Sequence, residues 1–204
     1  YEASLFKIPW NKVQQIAQVN YKGAYTNATV NGSSASGLGA EASLTLKPSR
    51  AFQFGGSFSF NNLKQDADVT QPTPDPRNPS GPPVDVVLYP KGSRTAFSPK
   101  WTASAFASYD FPITDSVDGR FNVSVNYRSS QELRIAVGTA DIPAAVFKSD
   151  KPLIVNAGFD ITTQSGHTVS LFVQNLTNWD GITIPGPVNV TEFRYRPRTV
   201  GIQY

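Results

Sequence analysis

Apolar and polar residues alternate one by one along most of this chain, and that period predicts strands. "AFQFGGSFSF" (51–60) sets Phe52, Phe54, Phe58 and Phe60 on one face and Gln53, Gly55, Ser57 and Ser59 on the other, because side chains alternate across a strand. "WTASAFASYDF" (101–111), "RFNVSVNYR" (120–128), "LIVNAGFDI" (153–161), "HTVSLFVQN" (167–175) and "RTVGIQY" (198–204) repeat the pattern, as does "GAEASLTLKP" (39–48). No segment shows a comparable helical period, so the chain reads as all-β.

The connections between these runs are of two kinds that take turns. "KPSR" (47–50), "PITDSVDG" (112–119) and "QSGH" (164–167) are short, while about 20–32, 63–96, 129–151 and 179–191 are long. Strict alternation puts every long loop at one end of the sheet. The expected fold is an antiparallel up-and-down meander of about eight long strands, near 3–19, 33–47, 51–62, 97–111, 120–135, 153–163, 168–178 and 192–204. The proline-rich "TQPTPDPRNPSGPP" (70–83) is read as excluded from strand. Long loops on a rigid scaffold are where binding residues concentrate.

Strands of ten or so residues suit a tilted crossing of a bilayer. The polar faces hold mostly Ser, Thr, Asn, Gln and Gly rather than the Lys and Glu expected outside a sandwich, which suits a wet channel. The apolar faces are therefore expected to meet lipid through Phe52, Phe54, Phe58, Phe60, Trp101, Tyr109, Phe121, Tyr127, Phe159 and Tyr204. Phe52, Tyr109, Phe111, Phe121 and Tyr204 stand near short turns or the chain end, and Trp101 and Tyr127 toward the long loops. Two such belts around an apolar band mark a membrane barrel.

Composition agrees with that picture. Aromatic residues are 12% and charged residues only 16% of 204, which argues against disorder. A net charge of +3 is too small to point to nucleic acid. There is no Cys, which removes disulfides, thiolate metal sites and Cys nucleophiles together. No apolar run approaches the roughly eighteen residues of a membrane helix, which leaves a β-barrel open.

Six segments in order resemble TonB-dependent outer-membrane receptors: "SLFKIPWNKVQQ" (4–15), "TVNGSSASGLGAEASLTLKP" (29–48), "SPKWTASAFASYDF" (98–111), "LIVNAGFDI", "VSLFVQNLTN" (169–178) and "RPRTVGIQY" (196–204). Asn31, Gly32, Ala35, Gly39, Glu41 and Pro48 occupy the matching places of the second segment. Pro9 and Thr177 depart from the family pattern, and Pro9 is expected to mark a bulge or bend. The resemblance implies one domain, residues 1–204, forming the C-terminal wall of a 22-stranded transmembrane β-barrel. It also implies that the plug and TonB-engaging segment lie elsewhere, and that Thr199, Gly201 and Tyr204 fit a closing strand stopping two residues short.

The function so implied is active uptake of a scarce nutrient (a siderophore, cobalamin, an oligosaccharide or an aromatic compound) across the bacterial outer membrane. The implied partners are TonB, outer-membrane lipid and lipopolysaccharide, and the small-molecule ligand. A stand-alone eight-stranded barrel and a secreted carbohydrate-binding β-sandwich are the alternatives.

No enzyme, metal or cofactor site is read from the residues. The single His167 sits in a turn, and Asp110 and Asp160 lack partner spacing. Glu41, Arg120 and Arg128 fall on polar faces, where they could pair with charges on a plug or stay hydrated. Asn27, Asn122, Asn175 and Asn189 begin Asn-x-Ser/Thr triplets of the kind chance supplies. Arg77, Tyr89, Lys91, Arg94 and Trp179 on the long loops are the candidate ligand contacts. "RYRPR" (194–198) is expected near the outer leaflet and lipopolysaccharide phosphates.

Overall fold

The computed structural model describes residues 1–21, 24–75, 77–78, 80–135, 144–186 and 193–204. β1 (Glu2–Trp10) leads into a long connection holding a hairpin, β2 (Gln14–Tyr21) and β3 (Ala24–Asn31). β4 (Ala35–Leu46) returns, and a short turn gives β5 (Phe52–Asn61). The second long connection carries β6 (Lys64–Gln65) and a hairpin of β7 (Val69–Thr73) and β8 (Val84–Tyr89). β9 (Trp101–Thr114) and β10 (Val117–Arg128) follow, joined by a turn at Asp115 and Ser116. The third long connection holds β11 (Glu132–Ile135) and β12 (Ala145–Lys148), after which come β13 (Leu153–Thr163) and β14 (Thr168–Gln174). The fourth holds β15 (Ile182–Ile184) and β16 (Phe193–Arg194), and β17 (Thr199–Gln203) ends the sheet.

One antiparallel sheet runs in the order β1-β4-β5-β9-β10-β13-β14-β17, with β6 appended to β4. Every neighbour along it is the next long strand in sequence, so the eight-stranded meander and its alternation of short and long connections are present as expected. Among the described residues β1 pairs only with β4 and β17 only with β14, which leaves both edges of this sheet open and no closed barrel.

Register places one parity of residues on each side. Leu5, Ala40, Phe60 and Trp101 lie in line across four strands, and Ala107, Val123, Ala157, Val173 and Val200 continue the same face to the far edge. This face stays bare. Leu5, Leu38, Phe54, Phe58, Tyr109, Phe121, Leu171 and Ile202 are all exposed, Leu5 by 88% and Ile202 by 74%. A soluble monomer rarely leaves so continuous an apolar surface in water. The ten aromatic residues expected on one side do share it, and none is buried. Rings form two groups on this face. Phe54, Phe52, Tyr109, Phe111 and Phe159 run in sequence near the short turns, with centroids 5.5–6.5 Å apart. Phe58, Phe60 and Trp101 cluster near the loops, with Lys100 Nζ 5.5 Å from the Trp101 ring.

Burial is found at the loop end instead. Val69, Val86, Leu88, Tyr89 and Ala144 pack into one small core, with Ala96 against it, and Val13, Ala35 and Leu63 form another with Ile8. Extra two-stranded sheets all belong to the long connections, so no second sheet covers the apolar face among the described residues. That removes the sandwich arrangement.

Five expectations are corrected here. Residues 3–19 are not one strand: the chain leaves the sheet at Trp10, takes φ +55° at Lys12, and pairs again as β2 with β3. Residues 120–135 likewise divide at Ser129 into β10 and β11, and the last strand of the large sheet starts at Thr199 rather than 192. The proline-rich 70–83 is not wholly excluded from strand, since β7 runs through Pro72. Among the described residues that hairpin has no third strand, so β7 is an edge, where a proline is tolerated. Finally, Pro9 marks no bulge. The register from Glu2↔Ser43 to Trp10↔Ala35 is unbroken, and an edge strand is where a sheet tolerates proline.

Candidate ligand-binding face and rim cleft

Opposite the apolar side lies a face of short polar groups. Gln53, Ser57, Ser59, Thr102, Ser104, Asn122, Ser124, Asn156 and Ser170 belong to it by register. Ser57 and Ser104 hydroxyls meet at 2.8 Å, Asn156 Nδ2 donates to Ser124 Oγ at 3.3 Å, and Asn122 Nδ2 donates to Asp160 Oδ2 at 3.3 Å. Groups exposed this way offer many weak donors and acceptors to water or a sugar-like ligand.

Its charges are few. Glu41 accepts a long hydrogen bond from Ser59, and Arg120 forms a two-point contact with Asp110, Nε at 2.5 Å from Oδ1 and Nη2 at 3.2 Å from Oδ2. Arg120 and Asp110 therefore satisfy each other across neighbouring strands.

Three phenylalanines break the polar pattern, and each lies over a glycine. Phe6 covers Gly39, Phe106 covers Gly55 and Phe172 covers Gly201, in each case the residue directly opposite on the next strand. A ring fills the space a side chain leaves empty, which keeps the sheet packed where glycine would weaken it.

At the loop end of this face the β15–β16 hairpin overhangs β10, β13 and β14. Beneath it is a cleft of about 660 Å³ lined by Asn126, Arg128, Gln174, Thr183, Arg194, Tyr195 and Arg196, with Pro152, Ile154 and Ile184 supplying apolar wall. Arg128 Nη2 donates to the Thr183 carbonyl at 2.6 Å, which ties the hairpin to the sheet. Its Nε is buried without a partner. Asn175, 1% exposed and at φ +52°, organises the turn alongside. Its Nδ2 donates to the Trp179 and Arg196 carbonyls at 2.8 and 2.9 Å, and its Oδ1 accepts the Trp179 amide at 2.9 Å.

The five candidate contacts separate. Tyr89 is fully buried, so it is a core residue of the loop end rather than a surface for ligand. Its hydroxyl accepts the Arg134 amide at 3.3 Å, and burial raises its pKa above the usual phenol value. Arg94 is also structural: Nε and Nη2 donate to the Ser98 and Asn61 carbonyls at 3.2 and 2.8 Å, bracing β5 against the second long connection. Arg77 turns back on Asp75, holding that carboxyl below its ordinary range. Lys91 is exposed, its amide donating to Asp68. Trp179 stands by the cleft, edge-on to Tyr195 at 6.1 Å.

Arg194 and Arg196 of the "RYRPR" run line the cleft at the rim of the polar face. His167 meets the Tyr204 hydroxyl through Nδ1, a pairing across the short-turn end. Asn189 lies outside the described residues, and Asn27 has no described side chain. No group of three or more metal-ligating side chains occurs among the described residues.

Two residues escaped the sequence reading. Asn175 was noted only for its triplet, although Asn is a residue that tolerates positive φ. Lys100 precedes Trp101, a signal for a cation at the edge of an aromatic belt. Comparison of the chain with known families, with characterised proteins and with solved structures finds no match.

Proposed function

We propose that this sheet is part of the wall of a TonB-dependent transport barrel in the bacterial outer membrane, with its apolar face against lipid and its polar face toward a water-filled channel. The observation that carries this reading is the pairing of a bare apolar face across all eight strands with a polar, sparsely charged face behind it. Water is a poor solvent for the first, and lipid is a poor solvent for the second.

Dimensions support it. Strands β1, β4, β5, β9, β10 and β13 run from nine to fourteen residues, long enough to cross obliquely. Trp101 and Tyr109, one in each ring cluster, are eight residues apart on β9. That is about 27 Å along the strand and about 20 Å along the normal at a tilt near 40°, close to the apolar band of such barrels. Lys100 over Trp101 then sits at the outer headgroups. The open edges of β1 and β17 would pair with further strands of the wall, since lipid tolerates no unpaired edge. Uptake of a siderophore, cobalamin, an oligosaccharide or an aromatic compound follows from the motif resemblance, with the loops and polar face as the contacting surfaces.

The absence of native Cys makes the sidedness directly testable. Single substitutions Phe58→Cys and Leu171→Cys on one face, and Ser59→Cys and Asn156→Cys on the other, are labelled with a small fluorophore in liposomes. Lipid-borne quenchers should act on the first pair and iodide on the second. The reverse pattern, or no difference, rejects the wall. Uptake is tested by growth of cells lacking the protein on media limited in iron, cobalamin or carbon source. A defect shared with cells lacking TonB is expected, and unimpaired growth on all of them rejects transport.

A further inference from the structure

Resting on the reading that the apolar face lies in a bilayer, we infer that the loop-side border of that face binds the phosphates of anionic lipids through Lys7, Lys64, Lys100, Lys151 and Arg198. These five cations cross the sheet from one edge to the other, and all are exposed. Lys7 shares the parity of Leu5 on β1, and its register partner Leu38 belongs to the same bare side. Lys64 stands directly opposite Ser36, two residues from Leu38 along β4, so it shares that side too. Lys100 is placed by contact: its Nζ lies 5.8 Å from the Phe60 ring and 5.5 Å from the Trp101 ring. Lys151 and Arg198 stand two residues before Leu153 and Val200, where β13 and β17 begin this face.

None of the five has an ion-pair partner among the described residues. A carboxylate, Asp66, reaches this border, but it accepts from the Ser36 hydroxyl at 2.5 Å rather than from any of them. The charge balance of the border is therefore positive. The other border of the same face differs: Phe52, Tyr109, Phe111, Val117, Ile161 and Val169 stand there, and no charged residue of the ladder joins them.

An apolar band with cations along one margin fits one kind of occupant, a lipid with an acyl body and a negative head. Lys and Arg keep their stems on apolar surface while the charged end stays among headgroups. There an ammonium or guanidinium meets phosphate oxygens in a medium less polar than water, which strengthens the attraction. A zwitterionic headgroup offsets its phosphate with its own cation, so a lipid whose phosphate lacks that neighbour is the better partner.

Trp101, beneath Lys100, reports on the lipid beside it. With Trp10→Phe and Trp179→Phe it is the one tryptophan left in the chain. Its quenching is measured on the intact protein in liposomes of phosphatidylcholine containing either brominated phosphatidylglycerol or brominated phosphatidylcholine. The anionic lipid should be preferred by about fivefold or more, since a cation near an anionic surface contributes about that factor. Lys7→Gln with Lys100→Gln should abolish the preference, while Lys100→Arg, which keeps the charge, should retain it. Lys47→Gln with Arg50→Gln removes the same charge at the short-turn end and should leave it unchanged. Equal quenching by the two lipids, or equal losses in the two double variants, overturns the inference and leaves the membrane wall standing. No quenching by either lipid rejects the wall, and the inference with it.

Discussion

Phe106 lies across Gly55 from the neighbouring strand, its ring 2.9 Å from the point a Cβ would occupy, while the Leu44 carbonyl stands 2.6 Å from that point on the other side. Gly55 is therefore held between a ring and a backbone of two adjacent strands. Gly55→Ala must displace one of them, and the Leu44 carbonyl belongs to the ladder. The expected loss is about 1–3 kcal/mol, as for other overpacked positions, read as a lower urea midpoint with an unchanged slope. Stability equal to the parent would mean the ring moves freely and does not cover the glycine.

Val123 and Ser124 are consecutive on β10 and point to opposite faces. With the sheet in a bilayer, Val123→Arg should cost about 2–4 kcal/mol near the midplane, whereas Ser124→Arg should change little. The comparison is made by reversible unfolding from liposomes. Equal penalties would show that neither face meets hydrocarbon.

Tyr89 ties the loop core to alkaline pH. Burial raises the phenol pKa in the folded protein above its unfolded value of about 10. The unfolded chain therefore loses the proton first, so the stabilisation from Tyr89 is complete below about pH 10 and is lost as pH climbs through the folded value. Hydrogen exchange of β7, β8 and β11 should accelerate above that pH while the strands of the large sheet keep their protection. Tyr89→Phe should abolish the alkaline step, at the expense of the hydrogen bond from Arg134. A Phe variant with the same alkaline profile would assign the effect to another group.

Asn175 should matter more than any exposed loop residue. Asn175→Ala leaves the Trp179 and Arg196 carbonyls and the Trp179 amide without their partner. It also puts a less tolerant residue at positive φ. Each buried group left unpaired costs about 1–3 kcal/mol, so the turn before the cleft should open. Proteolysis between 175 and 198 and a red shift of Trp179 emission are the measurements. A protease-resistant variant would show that the hairpin is held without Asn175, through contacts such as Arg128 Nη2 to the Thr183 carbonyl and the Ile182 amide to Asp150 Oδ2.

Much of the large sheet was legible from one period. Phe52 through Phe60, Trp101 through Phe111 and Phe121 through Tyr127 alternate with polar neighbours, and a ladder converts that alternation into two faces with no further information. The alternation of short and long connections fixed the meander in the same way. Strand ends were less legible. Alternation continues through Val13–Val19 and Glu132–Ile135, and nothing local says that the chain has left one sheet for another.

The strands within the long connections are stabilised by one another, so no local period set them apart from loop. β7 through Pro72 gave no signal in the sequence, since an edge strand's permission for proline depends on what fails to pair with it. Tyr89 looked like a loop tyrosine and is the centre of a core. Arg194 and Arg196 looked like the start of a strand and line a cleft.

The sequence by itself determined which residues share a side of each strand, because the two-residue period is a property of the extended backbone alone. Only the tertiary structure decided where each strand stops, which loop residues are buried and which arginines converge. Those outcomes depend on contacts between segments far apart in the chain, and no local pattern encodes a distant neighbour.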